Sequence, residues 1–162
     1  MNQAYKVKAP VYLRMGKSDR CDVHTTQLHA QAGSLLQTKF GQASDVAFIA
    51  TGSMVSTAMD IAAVAYPDAS VWSAPFIKPI NSKQVATICA KFKRIVVLEE
   101  HSVLGGLGSV ICEIASEFAP ARILRIGVQD RFSLHCGSYE YLLKENELDG
   151  ESIKRRIYNF CI

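Results

Sequence analysis

The chain has 162 residues, of which 49% are hydrophobic and 20% charged, and its formal net charge is +3. This length is typical of one domain that buries roughly 70% of the surface of its unfolded chain. The small net charge and the scattered basic residues argue against a nucleic-acid-binding surface. No apolar run approaches the roughly 20 residues that a membrane-spanning helix needs, and no signal peptide is apparent.

The five cysteines point to a reduced protein. They are odd in number and form no C-x-x-C pair, so neither a disulfide framework nor a zinc site is indicated. Cys89 and Cys112 fall on apolar faces of predicted helices, where a reduced thiol packs into the core. We therefore expect a soluble cytoplasmic domain without a bound metal.

The first 32 residues differ from the rest of the chain. The pattern over Lys8–Gly16 predicts one β-strand that begins near Pro10 and ends at a glycine. Residues 17–32 are polar and show no sustained period, which predicts a linker. Because a lone strand cannot form a domain, we expect residues 1–16 to be the tail of a preceding domain. Residues 33–162 would then form the domain proper.

From residue 33 onward, apolar runs alternate with helical patterns. The predicted strands are Ser34–Phe40, Asp45–Ala50, Ala69–Ala74, Arg94–Leu98 and Arg122–Ile126. The predicted helices span about residues 53–66, 82–92, 107–118, 137–145 and 150–160, with Asn81 and Asp149 as N-caps. This order predicts a three-layer α/β/α fold with a mostly parallel, five-stranded sheet. Ser34–Phe40, which follows a linker and precedes a short turn, should run antiparallel at an edge.

The central stretch of the chain is Arg94–Ser109. Its apolar start predicts a buried strand, which the polar residues Glu99, Glu100 and His101 follow. These three lie at a strand end, where general acid–base groups are common. No nucleophile with a partnering base is visible nearby, so a structural role is favoured.

A glycine turn links this strand to the next helix and is a candidate anion site. Free N–H groups and the helix dipole favour negative charge at such a turn. The residues of this candidate site are His101, Gly105, Gly106, Gly108 and Ser109. The spacing is not that of a dinucleotide-binding loop, and the favoured interpretation is that the glycines allow a sharp turn and close helix–sheet packing.

Two further candidates are weaker. His135 and Cys136 are adjacent in sequence, whereas catalytic Cys/His pairs come from distant segments, so this pair is disfavoured. Arg14 ends the first predicted strand, where a guanidinium suits phosphate recognition. From the residues alone, an ordinary surface arginine is the favoured interpretation.

Four segments, in order, resemble the C-terminal domain of transketolase-like, thiamine-diphosphate-dependent enzymes. They are Asp45–Gly52, Phe76–Ile80, Arg94–Ser109 and Ile126–Phe132, the last followed by Gly137-Ser138 and Leu148–Ile153. The resemblance runs from about Lys8 to Ile157, and Arg94–Ser109 is its strongest part. Small departures occur at Ala9, Ser133 and Cys136.

The resemblance implies an enzyme whose chemistry lies outside this chain. In the family, thiamine diphosphate and its metal, such as Mg²⁺, are held between a diphosphate-binding and a pyrimidine-binding domain of two subunits. The C-terminal domain lies to one side, supports the dimer and carries no catalytic group. The family's Gly-Asp-Gly motif and the glutamate that activates the cofactor are absent from this sequence.

The resemblance also assigns the first segment. Residues 8–16 are similar to the last strand of the pyrimidine-binding domain, and Arg14 matches the family arginine that contacts the phosphate of a sugar-phosphate substrate. The prediction is a non-catalytic assembly domain, inactive alone, of an enzyme that transfers two-carbon ketol units between sugar phosphates. Its partners would be the catalytic N-terminal and pyrimidine domains, or a separate subunit carrying them, in a homodimer.

Two alternatives stay open at this point. One is a regulatory module that binds an anionic metabolite at the Gly105–Ser109 turn. The other lies within the family: the C-terminal domain of a deoxyxylulose-phosphate synthase or of an E1 β-type oxo-acid dehydrogenase. His101 after two glutamates leans lightly towards transketolase itself.

Overall fold

The computed structural model describes residues 2–16, 22–24, 30–42 and 44–162. Its strands are β1 (Leu36–Lys39), β2 (Val46–Ala50), β3 (Ser70–Ser73), β4 (Arg94–Ser102) and β5 (Arg122–Val128). Its helices are α1 (Asn2–Lys6), α2 (Met54–Ala65), α3 (Ser82–Lys91), α4 (Leu107–Phe118), α5 (Tyr139–Glu145) and α6 (Gly150–Cys161).

The strands form one five-stranded sheet in the order β1-β3-β2-β4-β5. Strands β3, β2, β4 and β5 are parallel, and β1 pairs antiparallel with β3 at the edge. The predicted mostly parallel sheet and its antiparallel edge strand are therefore confirmed.

Two hydrophobic cores lie on opposite faces of this sheet. Successive side chains of a strand point to opposite faces, so Phe48 packs with α2 and α6 while Ile49 packs with α3 and α4. Strand β4 divides in the same way, with Val96 on the first face and Val97 on the second. Helices thus cover both faces, which confirms the three-layer α/β/α fold.

The predicted helix caps are present. Asn81 Oδ1 accepts a hydrogen bond from Gln84 N at 3.0 Å, and Asp149 caps α6 by accepting from two backbone N–H groups. The side chain of Gln84 does not return to the cap. Instead it bonds both the N–H and the carbonyl of Leu35 at 2.8 Å, which fastens the segment before β1 to α3.

The prediction of a strand over Lys8–Gly16 is wrong for the chain as it folds here. The structure shows no strand in this segment and an unpredicted short helix, α1, just before it. A strand needs a neighbour for its backbone N–H and carbonyl groups, and an alternating sequence does not supply one. The predicted linker, residues 17–32, falls partly outside the described residues; at 22–24 the structure packs Val23 against the α2–α6 core.

Strand β4 is longer than predicted. The sequence predicts its end at Leu98, but the strand continues through Glu99, Glu100 and His101 to Ser102. These polar residues stay in the strand because the carboxylates of Glu99 and Glu100 accept hydrogen bonds from neighbouring segments.

Candidate functional site

The candidate site lies at the carboxyl edge of the sheet, where the four parallel strands end. In sheets of this kind ligands bind outside the carboxyl ends of the strands. Three segments meet there: the turn after β2 that carries Ser53, the end of β4 with the following glycine turn, and the loop at 129–138 after β5.

Glu99 is the most unusual residue of this edge, since it is an acidic residue that is only 2% exposed. Its Oε2 accepts a hydrogen bond from Leu107 N at 2.8 Å, and its Oε1 accepts one from Gly108 N at 2.9 Å. These N–H groups open α4, where helix geometry leaves the first donors without partners inside the helix. The carboxylate therefore satisfies the start of α4 and fastens it to the sheet.

The glycines of the turn serve different purposes. Gly105 has a φ of +75°, a conformation that L side chains rarely adopt. Gly106 and Gly108 provide space: a Cβ on Gly106 would lie 2.1 Å from Glu99 Oε2, and one on Gly108 would lie 2.8 Å from Arg125 Cγ. The predicted sharp turn and close packing are thus visible in the structure.

Ser109 and Arg125 complete the turn. Ser109 Oγ accepts from Gly105 N at 3.0 Å and donates to the carbonyl of Val103 at 3.0 Å. Arg125 on β5 donates to that same carbonyl at 2.7 Å and to Ser109 Oγ at 3.2 Å. The backbone of the turn is therefore held from β5 as well as from β4.

Glu100 links three segments of the edge. Its Oε1 accepts a hydrogen bond from Ser53 Oγ at 2.6 Å and another from the hydroxyl of Tyr139. Ser53 precedes α2, and Tyr139 is the first residue of α5. Glu100 thereby joins the ends of β2 and β4 to the helix that follows the last loop.

The loop at 129–138 is tied to α5 and holds apolar side chains outward. His135 Nδ1 lies 3.0 Å from Glu145 Oε1, and the guanidinium of Arg131 donates to the carbonyl of the same Glu145. Between these anchors, Phe132 and Leu134 are 93% and 83% exposed. His135 therefore has a carboxylate partner rather than Cys136.

Gly105, Gly106, Gly108 and Ser109 lie at one turn, and His101 lies in β4 before it. The two N–H groups that open the helix already have a carboxylate partner. The site as a place for a free anion stays a prediction. Arg14 lies in an exposed segment, and its predicted contact with a substrate phosphate also stays a prediction.

Sequence reasoning missed three members of the site, namely Ser53, Arg125 and Tyr139. Each lies at or near a strand or helix end predicted to face this edge, which was the available signal. Which hydroxyl would reach Glu100 depends on the packing of α5, which no local pattern contains.

In the described part of the chain, no group of three or more His, Cys, Asp or Glu residues could hold a metal ion. No helix among the described residues is long and apolar enough to cross a membrane.

Burial raises the pKa of the Cys89 thiol to about 11, with a further contribution from nearby Cys112.

A model of the family "Transketolase, C-terminal domain" matches residues 38–153 of the chain. The chain belongs to this family. The matched residues include β2 to β5, the second half of β1 and the whole glycine turn. The resemblance seen in the sequence is thus confirmed.

Curated relatives carry two kinds of name. A protein of Methanocaldococcus jannaschii named putative transketolase C-terminal section is 35% identical over 159 residues, which cover 93% of this chain and 48% of that protein. A 1-deoxy-D-xylulose-5-phosphate synthase of Clostridium acetobutylicum is 33% identical over 166 residues, which cover 99% of this chain and 26% of the synthase. The chain therefore spans half or less of the length of these relatives.

A solved structure described as a split gene transketolase, inactive beta4 tetramer, has the same fold. It matches with a TM-score of 0.88 and 28% identity, over 98% of this chain and 52% of that one. The likeness extends beyond residues 38–153 to nearly the whole chain.

Proposed function

We propose that this chain is the C-terminal, non-catalytic assembly domain of a transketolase-like enzyme that transfers two-carbon ketol units between sugar phosphates. The observation that carries the proposal is the family match over residues 38–153, combined with a glycine turn whose opening N–H groups bond Glu99. In this account the chain alone is inactive. The complete enzyme works in the cytoplasm, a proposal that rests only on the cysteine composition.

The proposed partners are the catalytic N-terminal and pyrimidine-binding domains, on the same chain or on a separate subunit. Support comes from the relative that is itself named a C-terminal section and from the structure described as a split gene transketolase. In this proposal residues 1–16 are the tail of the pyrimidine-binding domain, residues 17–32 form the linker, and residues 33–162 form the assembly domain.

The segment before the linker has the pattern of a strand that lacks its neighbour. Val11, Leu13 and Met15 alternate with polar or amphipathic residues, and all three are exposed. Alternation of this kind suits a strand with one buried face. Pairing with the pyrimidine-binding domain would bury it and would place Arg14 within that domain, where it would hold the substrate phosphate.

The proposed cofactors of the complete enzyme are thiamine diphosphate and Mg²⁺, as the family resemblance implies. Among the described residues, no three His, Cys, Asp or Glu side chains form a group that could hold a metal ion, and the N–H groups at the start of α4 bond Glu99. No catalytic step is therefore assigned to this chain.

The proposed assembly surface, here called the carboxyl-edge surface, consists of Leu104, Phe132 and Leu134. These side chains are 57%, 93% and 83% exposed, and their two segments are joined by the hydrogen bond from Val103 N to Val128 O. Large apolar side chains held outward on anchored loops are typical of a contact with another chain. In the homodimer proposed here they meet another subunit.

Complementation tests this function. The chain is mixed with the separately expressed catalytic part of its enzyme, thiamine diphosphate and Mg²⁺, and ketol transfer between sugar phosphates is followed. We expect activity from the mixture and none from the chain alone. A double variant, Phe132→Ser with Leu134→Ser, should weaken assembly in sedimentation. Val64→Ser on α2, an apolar position that is 78% exposed, should not. Activity of the chain alone would refute the proposal.

A second candidate is the C-terminal domain of a 1-deoxy-D-xylulose-5-phosphate synthase. Several relatives with this name are 30–37% identical to the chain. The same complementation mixture distinguishes the two, because one predicts ketol transfer between sugars and the other predicts formation of 1-deoxy-D-xylulose 5-phosphate.

A further inference from the structure

Both oxygens of the Glu99 carboxylate bond the start of α4, as a bound anion would. The distances of 2.8 Å to Leu107 N and 2.9 Å to Gly108 N are those of well-formed hydrogen bonds. The positive end of the helix dipole favours a negative charge at this place. Glu99 is only 2% exposed, and burial of a charged carboxylate is costly. The two donors and the helix dipole offset that cost.

The surrounding backbone leaves room for this carboxylate. Gly106 has a φ of −86° and a ψ of −163°, an extended conformation open to any residue, so its conformation does not explain the glycine. Space does: a Cβ there would lie 2.1 Å from Glu99 Oε2. Gly127 on β5 belongs to the same packing, since its Cβ would lie 3.1 Å from Glu99 Cγ and 2.7 Å from the carbonyl of His101.

We propose that the start of α4 is an anion site that the chain fills with its own Glu99, so that the intact chain excludes free anions there and a variant lacking this carboxylate takes up acetate. Acetate is the expected occupant because of the atoms that the substitution removes. Glu99→Ala removes the Cγ methylene and the carboxylate and keeps Cβ, and the group removed has the size and charge of acetate. The proposal is independent of the enzyme's activity, and it predicts that the turn does not take up a free regulatory anion.

The test follows amide hydrogen exchange at Leu107 and Gly108, together with thermal unfolding, in sodium chloride and in sodium acetate at equal ionic strength. In chloride, Glu99→Ala should exchange at both amides at least tenfold faster than the natural chain. Acetate should restore protection and raise the unfolding temperature of this variant saturably. It should leave the natural chain and the control Gly150→Ala unchanged, because a Cβ on Gly150 meets nothing within 4 Å.

Gly106→Ala gives a second, independent variant. Its added methyl group would collide with the carboxylate, so exchange at Leu107 and Gly108 should rise, and acetate should not restore protection because the methyl group fills the space. This variant decides the matter should Glu99→Ala fail to fold in either salt.

Three results would overturn the proposal. One is an amide exchange rate at Leu107 and Gly108 that is the same in Glu99→Ala as in the natural chain. Another is a natural chain that gains protection in acetate or inorganic phosphate to the same extent as the variant. The third is Gly106→Ala with unchanged exchange at both amides. None of these readouts depends on assembly or ketol transfer, so failure here is distinguishable from failure of the proposed function.

Discussion

The hydroxyl of Tyr139 donates a hydrogen bond to Glu100 Oε1, and thereby ties the first residue of α5 to the carboxyl end of β4. Ser53 Oγ donates to the same oxygen at 2.6 Å. One carboxylate oxygen thus joins three segments that are far apart in sequence and holds the loop at 129–138 against the sheet edge.

Removal of the Tyr139 hydroxyl should destabilise this edge. Tyr139→Phe takes one donor from a charged acceptor, and such bonds are worth about 1.5–3 kcal/mol. We expect the free energy of unfolding to decrease by about 1.5–3 kcal/mol. Urea denaturation measures this change, with the single tryptophan, Trp72, as the probe. Tyr158→Phe, at an exposed position on α6, is the control and should change it little. Equal effects of both substitutions would contradict the importance of the Glu100 bond.

Gly41 before β2 should not tolerate a side chain. A Cβ there would lie 2.0 Å from the carbonyl oxygen of Asp68 and 2.6 Å from the carbonyl carbon of Ala69, which are backbone atoms and cannot move aside cheaply. Gly41→Ala should therefore cost about 1–3 kcal/mol, as overpacking does. Gly150→Ala, in open space at the start of α6, should be neutral or stabilise by up to about 1 kcal/mol. Denaturation of both variants measures the difference in their free energies of unfolding. A neutral Gly41→Ala would contradict the close packing at the β1–β3 edge.

The buried thiol of Cys89 should make stability fall at high pH. Burial, and then Cys112, raise its pKa from 9.0 to about 11 in the folded chain. Between these values the unfolded chain loses the thiol proton while the folded chain keeps it, so the free energy of unfolding decreases as pH rises. Cys89→Ala lacks this contribution. We therefore expect the difference in stability between the natural chain and Cys89→Ala to shift in favour of the variant from about pH 9 to 11.

Thiol labelling checks the same environment directly. Cys136 is exposed and Cys89 is buried, so a thiol reagent at pH 8 should modify Cys136 in the folded chain and reach Cys89 only on unfolding. Peptide mapping separates the two sites. Rapid labelling of Cys89 in the folded chain would contradict its place in the core.

The sheet could be predicted from the sequence because each buried strand is a short apolar run and each helix has local end signals. Asn81 and Asp149 cap the predicted helices, and the antiparallel edge strand follows from its short connection. The family resemblance came from Arg94–Ser109, whose glycines suit the turn that the structure shows.

What the sequence could not predict depends on partners from distant segments. Glu99 follows the apolar run, and this change in polarity predicts a strand end. The strand continues because an N–H group at the start of α4 donates a hydrogen bond to the carboxylate. Lys8–Gly16 shows the opposite case, since a good strand pattern forms no strand in the absence of a neighbour. Local pattern gives the preference of a segment, and only the tertiary contacts decide the outcome.

The central claim is that the chemistry of the complete enzyme lies outside this chain. Calorimetric titration of the purified chain with thiamine diphosphate and Mg²⁺ tests it most directly. We expect no saturable heat, because the N–H groups at the start of α4 bond Glu99 and the described residues contain no group of metal ligands. Tight, saturable binding of the cofactor by this chain alone would contradict it.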